Sequence, residues 1–114
     1  MPKEKPLLEQ AIVLLEEFRK YDADMPIQRA VVFLVIANSP RITMEKIAKT
    51  LNIGNSSVSR NVSALSHWGW GKQPGLDWVS TEDDPEERRR KIIELTPKGQ
   101  RVLTALLDIL HKEK

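Results

Sequence analysis

Residues 43–68 read TMEKIAKTLNIGNSSVSRNVSALSHW. Met44, Ile47, Ala48 and Leu51 recur three and four positions apart, which predicts a helix over Met44–Leu51 with those side chains inward. Thr43 stands at its N-cap position, where a hydroxyl can accept from one of the first free N–H groups. Asn52-Ile53-Gly54 then makes a short turn. Asn tolerates the left-handed backbone best after glycine, so Asn52 can reverse the chain there. Asn55 or Ser56 can cap a further helix through about Trp68, with Val58, Val62 and Leu65 as its buried positions.

The outward face of that second helix is Ser56, Ser57, Ser59, Arg60, Asn61 and Ser63, all small or hydrogen-bonding. No acidic residue occurs between Asn52 and Leu76. Such a surface suits contact with phosphates. The pair resembles a helix-turn-helix, with Ala48 as the small residue that lets the second helix cross closely. Taken alone, residues 43–68 also fit two ordinary packed helices, and the chain beyond Trp68 has to separate the two readings.

Downstream, Leu76–Ser80 and Lys91–Leu95 have strand character and pair as a hairpin, a wing over 76–95. In the second strand Ile93 and Leu95 are expected inward, against Ile92 and Glu94 outward. Between them lies TEDDPEERRR, with Asp84-Pro85 as turn residues and Arg88, Arg89, Arg90 and Lys91 climbing the return strand. A charge run of this kind is more often a solvated loop than a site.

Taken together, DPEERRRKIIELTPKG resembles the wing signature of the MarR family of winged helix regulators. That signature has Asp-Pro, an acidic residue, two Arg, an aliphatic strand, Leu-Thr, and a Gly one turn into a helix. The resemblance covers roughly residues 26–112. It implies that the helix after the turn enters the DNA major groove and that Arg89 at the wing tip reaches into the minor groove. It also implies that Glu87, where the family usually has Asp, braces that arginine. Two features depart from the pattern. The link Gly69–Gly75 is several residues longer than usual, and one C-terminal helix, Pro97 to about His111, stands where the family usually has two. Trp68, Trp70 and Trp78 near the link are expected to form a local packing group.

Upstream, PLLEQAIVLLEEFRKY (6–21) places Leu8, Ile12, Leu15 and Phe18 at helical spacing, with Leu7 and Leu14 adding a second apolar stripe. Pro26 opens a second helix to about Asn38. Within it Ala30–Ala37 is apolar on all sides; periodicity would also allow a buried strand, but the Pro start and the length favour a helix. The last helix, 97–112, carries more apolar surface than one face requires. The surplus at both ends predicts a homodimer interface from Leu7, Leu8, Leu14, Leu15, Leu103, Leu106, Leu107 and Leu110. The alternative is a monomer that folds both ends onto its own core.

The chain has 114 residues, 40% hydrophobic and 30% charged, which suits one domain over 1–114. Zero cysteines exclude disulfides, thiol nucleophiles and thiolate metal sites. His67 and His111 lack helical i, i+4 partners, so no metal and no cofactor are expected. The longest apolar run falls far short of the roughly 20 residues that span a bilayer, and MPKEKPLLEQ carries no export signal, so a cytoplasmic location is expected. The basic part of the chain is its middle, where Arg41, Lys46, Lys49, Arg60 and Lys72 face one acid, Glu45.

The fold class is therefore mainly α (α+β): a winged helix-turn-helix with a three-helix core, a two- to three-stranded antiparallel wing and flanking terminal helices. The function expected is a dimeric regulator, a repressor, binding double-stranded DNA. Its expected contacts are Thr43, Asn55, Ser56, Ser57, Ser59, Arg60, Asn61, Arg88, Arg89, Arg90 and Lys91. No nucleophile, base or metal constellation marks an enzyme, and a small-molecule effector is left open. The competing class is a winged helix used as a protein-interaction or replication and recombination accessory module.

Overall fold

A computed structural model describes residues 4–69 and 74–111. The order is α1 (Glu4–Arg19), α2 (Ile27–Asn38), β1 (Ile42–Thr43), α3 (Met44–Leu51), α4 (Asn55–Leu65), β2 (Val79–Asp83), β3 (Lys91–Leu95) and α5 (Pro97–His111). The strands form one antiparallel sheet in the order β1-β3-β2. Among the described residues, five helices and a three-stranded sheet make the winged helix expected from the sequence, and α3 and β3 keep their expected bounds.

The core is apolar and aromatic. Val32, Phe33 and Ile36 of α2 meet Ile47, Val58, Val62, Leu65, Ile93, Val102 and Leu106, with Phe18 of α1 closing one end. The ambiguous apolar run is thus a buried helix. Trp78 sits at the centre, fully buried, with the Phe33 ring centroid 5.0 Å away and those of Phe18 and Tyr21 at 6.2 and 5.2 Å.

The Leu-Thr-Pro-Lys-Gly run at 95–99 has a direct physical reading. Thr96 Oγ1 donates to the Asp77 carbonyl (2.6 Å) and accepts from Gly99 N–H (3.0 Å), while Thr96 N–H donates to the Trp78 carbonyl (2.9 Å). One residue thereby caps α5 and pins it to the start of the wing. Gly99 is required by closeness, since a Cβ there would stand 2.0 Å from the Trp78 carbonyl oxygen.

Several expectations are corrected. The first wing strand begins at Val79 instead of Leu76, because Leu76, Trp78 and Asp77 give their N–H groups to the carbonyls of Ala64, Leu65 and Ser66. Those carbonyls end α4 and need donors. For the same reason α4 stops at Leu65, three residues short of Trp68, with Ser66 extended (φ −90°, ψ −179°). Ile92 is buried beside Ile93, because β3 is the middle strand and Thr43 and Glu82 flank Ile92 on either side. Among the described residues Trp68 and Trp78 do not group: Trp78 is core, and Trp68 is 84% exposed with the His67 ring beside it; Trp70 lies outside the described residues.

Candidate nucleic-acid interface

The helix-turn-helix is built as its residues dictate. Thr43 Oγ1 caps α3 by accepting from Lys46 N–H at 3.1 Å. Asn52 takes the left-handed conformation (φ 55°, ψ 50°), and the N–H groups of Asn52 and Ile53 both return to the Ala48 carbonyl. Helix α4 begins at Asn55 after Gly54, which makes no side-chain cap; neither Asn55 nor Ser56 is the cap. The first N–H groups of α4 therefore have no capping side chain, and its first turn carries no acidic residue.

On α4 the exposed face holds Asn55, Ser56, Ser59 and Arg60, while Ser57 is half-buried. Asn61 is not on this face. It is 5% exposed and hydrogen-bonded inside the protein, so its place among the base-reading residues is withdrawn. The spacing held the answer, since Asn61 lies three residues after Val58 and four before Leu65. Its polar identity hid it.

Across a groove of about 800 Å³ the wing tip faces this helix pair. Met44, Glu45, Asn55 and Ser59 form one wall, and Glu87, Arg89, Arg90 and Lys91 the other. The tip is not part of the return strand: Asp84 N–H reaches the Arg90 carbonyl, Glu87 N–H that of Asp84, and Arg90 N–H that of Glu87. These overlapping turns mean that strand alternation does not set the directions of Arg88, Arg89 and Arg90. Arg90 Nε pairs with Asp84 Oδ2 at 3.3 Å, and Lys91 pairs with Asp83. The hydrogen bond from the Lys91 ammonium, and then its charge, holds the Asp83 carboxyl below its ordinary pKa. Among the described residues no ion pair joins Glu87 to Arg89, so the expected brace is absent from this geometry. Arg88 and Arg89 remain exposed at the tip. A residue the sequence did not single out, Arg41 (φ 61°), places Nη1 3.3 Å from Glu82 and 2.9 Å from Glu94, tying β2 and β3 together behind the tip.

A model of the winged helix DNA-binding domain matches residues 26–99, from the start of α2 to the first turn of α5. The chain belongs to this family. Winged helix proteins of MarR type have the same fold over almost the whole chain. The S. aureus MepR–DNA complex matches at TM-score 0.71 with 20% identity, covering 96% of this chain and 80% of that one. A mutant MarR from E. coli complexed with operator DNA matches at TM-score 0.65 with 16% identity, covering 99% and 76%. PcaV from Streptomyces coelicolor with its natural ligand matches at TM-score 0.60 with 18% identity, covering 94% and 74%. No curated protein sequence matches.

The helices flanking the winged helix pair with each other. Gln10 Nε2 donates to the Ile109 and Leu110 carbonyls, both at 3.2 Å, so a side chain from the middle of α1 caps the end of α5. Leu7, Leu8, Leu15, Leu107 and Leu110 stay exposed, and Leu14 and Leu103 are half-buried. Leu106 is buried in the core at 1% exposure and leaves the proposed interface. Val102, Leu106 and Ile109 form the inward row of α5, whereas Leu103, Leu107 and Leu110 form the row beside it. Both rows have the same spacing, and only the fold tells them apart. No described helix is long and apolar enough to cross a membrane.

Proposed function

We propose that this winged helix protein is a dimeric, sequence-specific regulator of transcription, a repressor, that binds double-stranded DNA with α4 in the major groove and the wing tip in the minor groove. The observation that carries this reading is the arrangement of α4 and the wing about one groove. Asn55 and Ser59 of the acid-free exposed face of α4, beside Glu45 of α3, line one side, and Arg89, Arg90 and Lys91, with Glu87, line the other. Phosphates are favoured at a helix N-terminus by its free donors and dipole. Asn55, Ser56, Ser59 and Arg60 project where base edges would lie, and Ser57 stands at their margin. At the tip Arg89 enters the minor groove and Arg88 runs along phosphates, while Arg90 and Lys91 are held at the base of the tip by Asp84 and Asp83.

Dimerisation is supported by the exposed leucines of α1 and α5, which lie on two helices packed against each other. The experiment is selection of bound duplexes from a random pool. The reading expects an enriched site with two-fold symmetry and half-sites about one helical turn apart. A pool that stays random through successive rounds refutes sequence-specific recognition.

A further inference from the structure

Among the buried residues of α4, Asn61 is polar where Val58, Val62 and Leu65 are aliphatic. Its amide is held in one orientation by three contacts. Nδ2 donates to Gln28 Oε1 at 2.9 Å and to the Ser57 carbonyl one turn back at 3.0 Å, and Oδ1 accepts from Arg29 Nε at 3.2 Å. A guanidinium can only donate, so Arg29 decides which end of the amide faces it. The amide nitrogen is then left to meet Gln28 and Ser57. Gln28 and Arg29 both stand in the first turn of α2.

Aliphatic contacts hold a helix against its neighbour but are not directional, so they permit some roll about its axis. Hydrogen bonds weaken steeply when bent, and two of these, to Gln28 and from Arg29, join the flank of α4 to a different helix. The difference matters at the surface. A roll of about 10° moves a side-chain tip 5–6 Å from the helix axis by roughly 1 Å, and recognition geometry has to be held to about 0.5 Å.

We propose that Asn61, clamped by Gln28 and Arg29, is a positioning residue that fixes the roll of α4, so that discrimination between DNA sequences depends on two α2 side chains lying away from the base-reading face. The proposal rests on the reading of α4 as the helix that recognises DNA. Asn61 then contributes to specificity through Ser56, Ser59 and Arg60, whose direction it sets, and makes no contact with the nucleic acid.

Gln28 is exposed and can be changed without opening the core. Gln28→Met keeps the length of the side chain and removes the acceptor; Gln28→Glu keeps an acceptor for Asn61. The full-length protein would be titrated against the duplex selected from the random pool and against a random duplex, at several salt concentrations, with thermal unfolding in parallel. In Gln28→Met the ratio of the two affinities should fall about tenfold, the scale of one mismatched base pair, while random-duplex affinity, salt slope and Tm stay at wild-type values. Gln28→Glu should keep the ratio. An unchanged ratio in Gln28→Met, or an equal loss on both duplexes, overturns the proposal. Loss of the ratio in Gln28→Glu as well does the same, because the acceptor would then be irrelevant. If the wild-type protein binds neither duplex, the functional reading itself falls; if it selects a site that Gln28→Met reads equally well, only the clamp falls.

Discussion

Arg90 Nε lies 3.3 Å from Asp84 Oδ2, across the neck of the wing tip. The pair closes the loop from which Arg88 and Arg89 project, so the four cations of this segment are not equivalent. Arg89→Ala should weaken binding to the selected duplex and flatten any preference for A·T-rich flanks, where a narrow minor groove concentrates negative potential. Arg90→Ala should instead loosen the tip, with a smaller loss spread evenly over all sequences. Anisotropy titrations against duplexes that differ only in their flanks separate the two. Equal behaviour of the two variants would contradict the assignment.

The missing contact between Glu87 and Arg89 gives a second test. With no brace to lose, Glu87→Ala removes a negative charge from the groove wall and should tighten DNA binding, most visibly at low salt. Weaker binding after Glu87→Ala would show that a brace forms on DNA.

Lys91 is held by Asp83 at neutral pH, and this pair gives a prediction with a definite sign. Because the folded-state pKa of Asp83 is depressed, the contribution of the pair is present above the unfolded carboxylate value and is lost as pH falls through the lowered one. Carboxyl NMR should therefore place the Asp83 midpoint below the ordinary aspartate value. Asp83→Asn at neutral pH should free Lys91 for phosphate and steepen the salt dependence by about one counterion. An unaltered slope would mean that Lys91 points away from DNA.

Gly99 leaves no room for a methyl group, since its Cβ would meet the Trp78 carbonyl oxygen at 2.0 Å. Gly99→Ala should cost about 3 kcal/mol through forced displacement of α5 from the wing. In a domain of this size that lowers Tm by roughly 10 °C or more, which calorimetry would register. A shift of only a degree or two would show that α5 can slide without penalty.

Leu107→Glu places a charge on the exposed row of α5 and should leave Tm nearly unchanged while shifting sedimentation toward the 13.0 kDa monomer. Leu106→Glu, on the inward row, should unfold the protein instead. DNA affinity of Leu107→Glu should fall with the dimer, because two half-sites are no longer engaged together.

Much of the fold was legible because its signals are local. Asn52 stands where a left-handed residue is needed, Thr43 where a cap is needed, and the Leu-Thr-Pro-Lys-Gly run where α5 must be pinned to the segment just before the first wing strand. What escaped was set by contacts between distant segments. Asn61 is buried because α2 supplies Gln28 and Arg29. Leu106 differs from Leu107 because α1 and the core lie on one side of α5. Arg88–Arg90 leave the strand because three turn hydrogen bonds close the tip. Residues 76–78 leave it because the end of α4 needs donors. Only for Asn61 did the helical spacing after Val58 point inward, and its polarity hid that; the others are not encoded in the spacing of the residues concerned.

The most direct test of DNA binding is the salt dependence of affinity for duplex DNA. If α4, its N-terminus and the wing tip rest on phosphates as proposed, log K against log salt should be linear and steep, about −4 or steeper for a dimer. Arg89→Ala should make it shallower. Affinity that is absent at about 50 mM salt, or that does not change up to about 200 mM, would contradict the account and leave this winged helix as a surface for another protein.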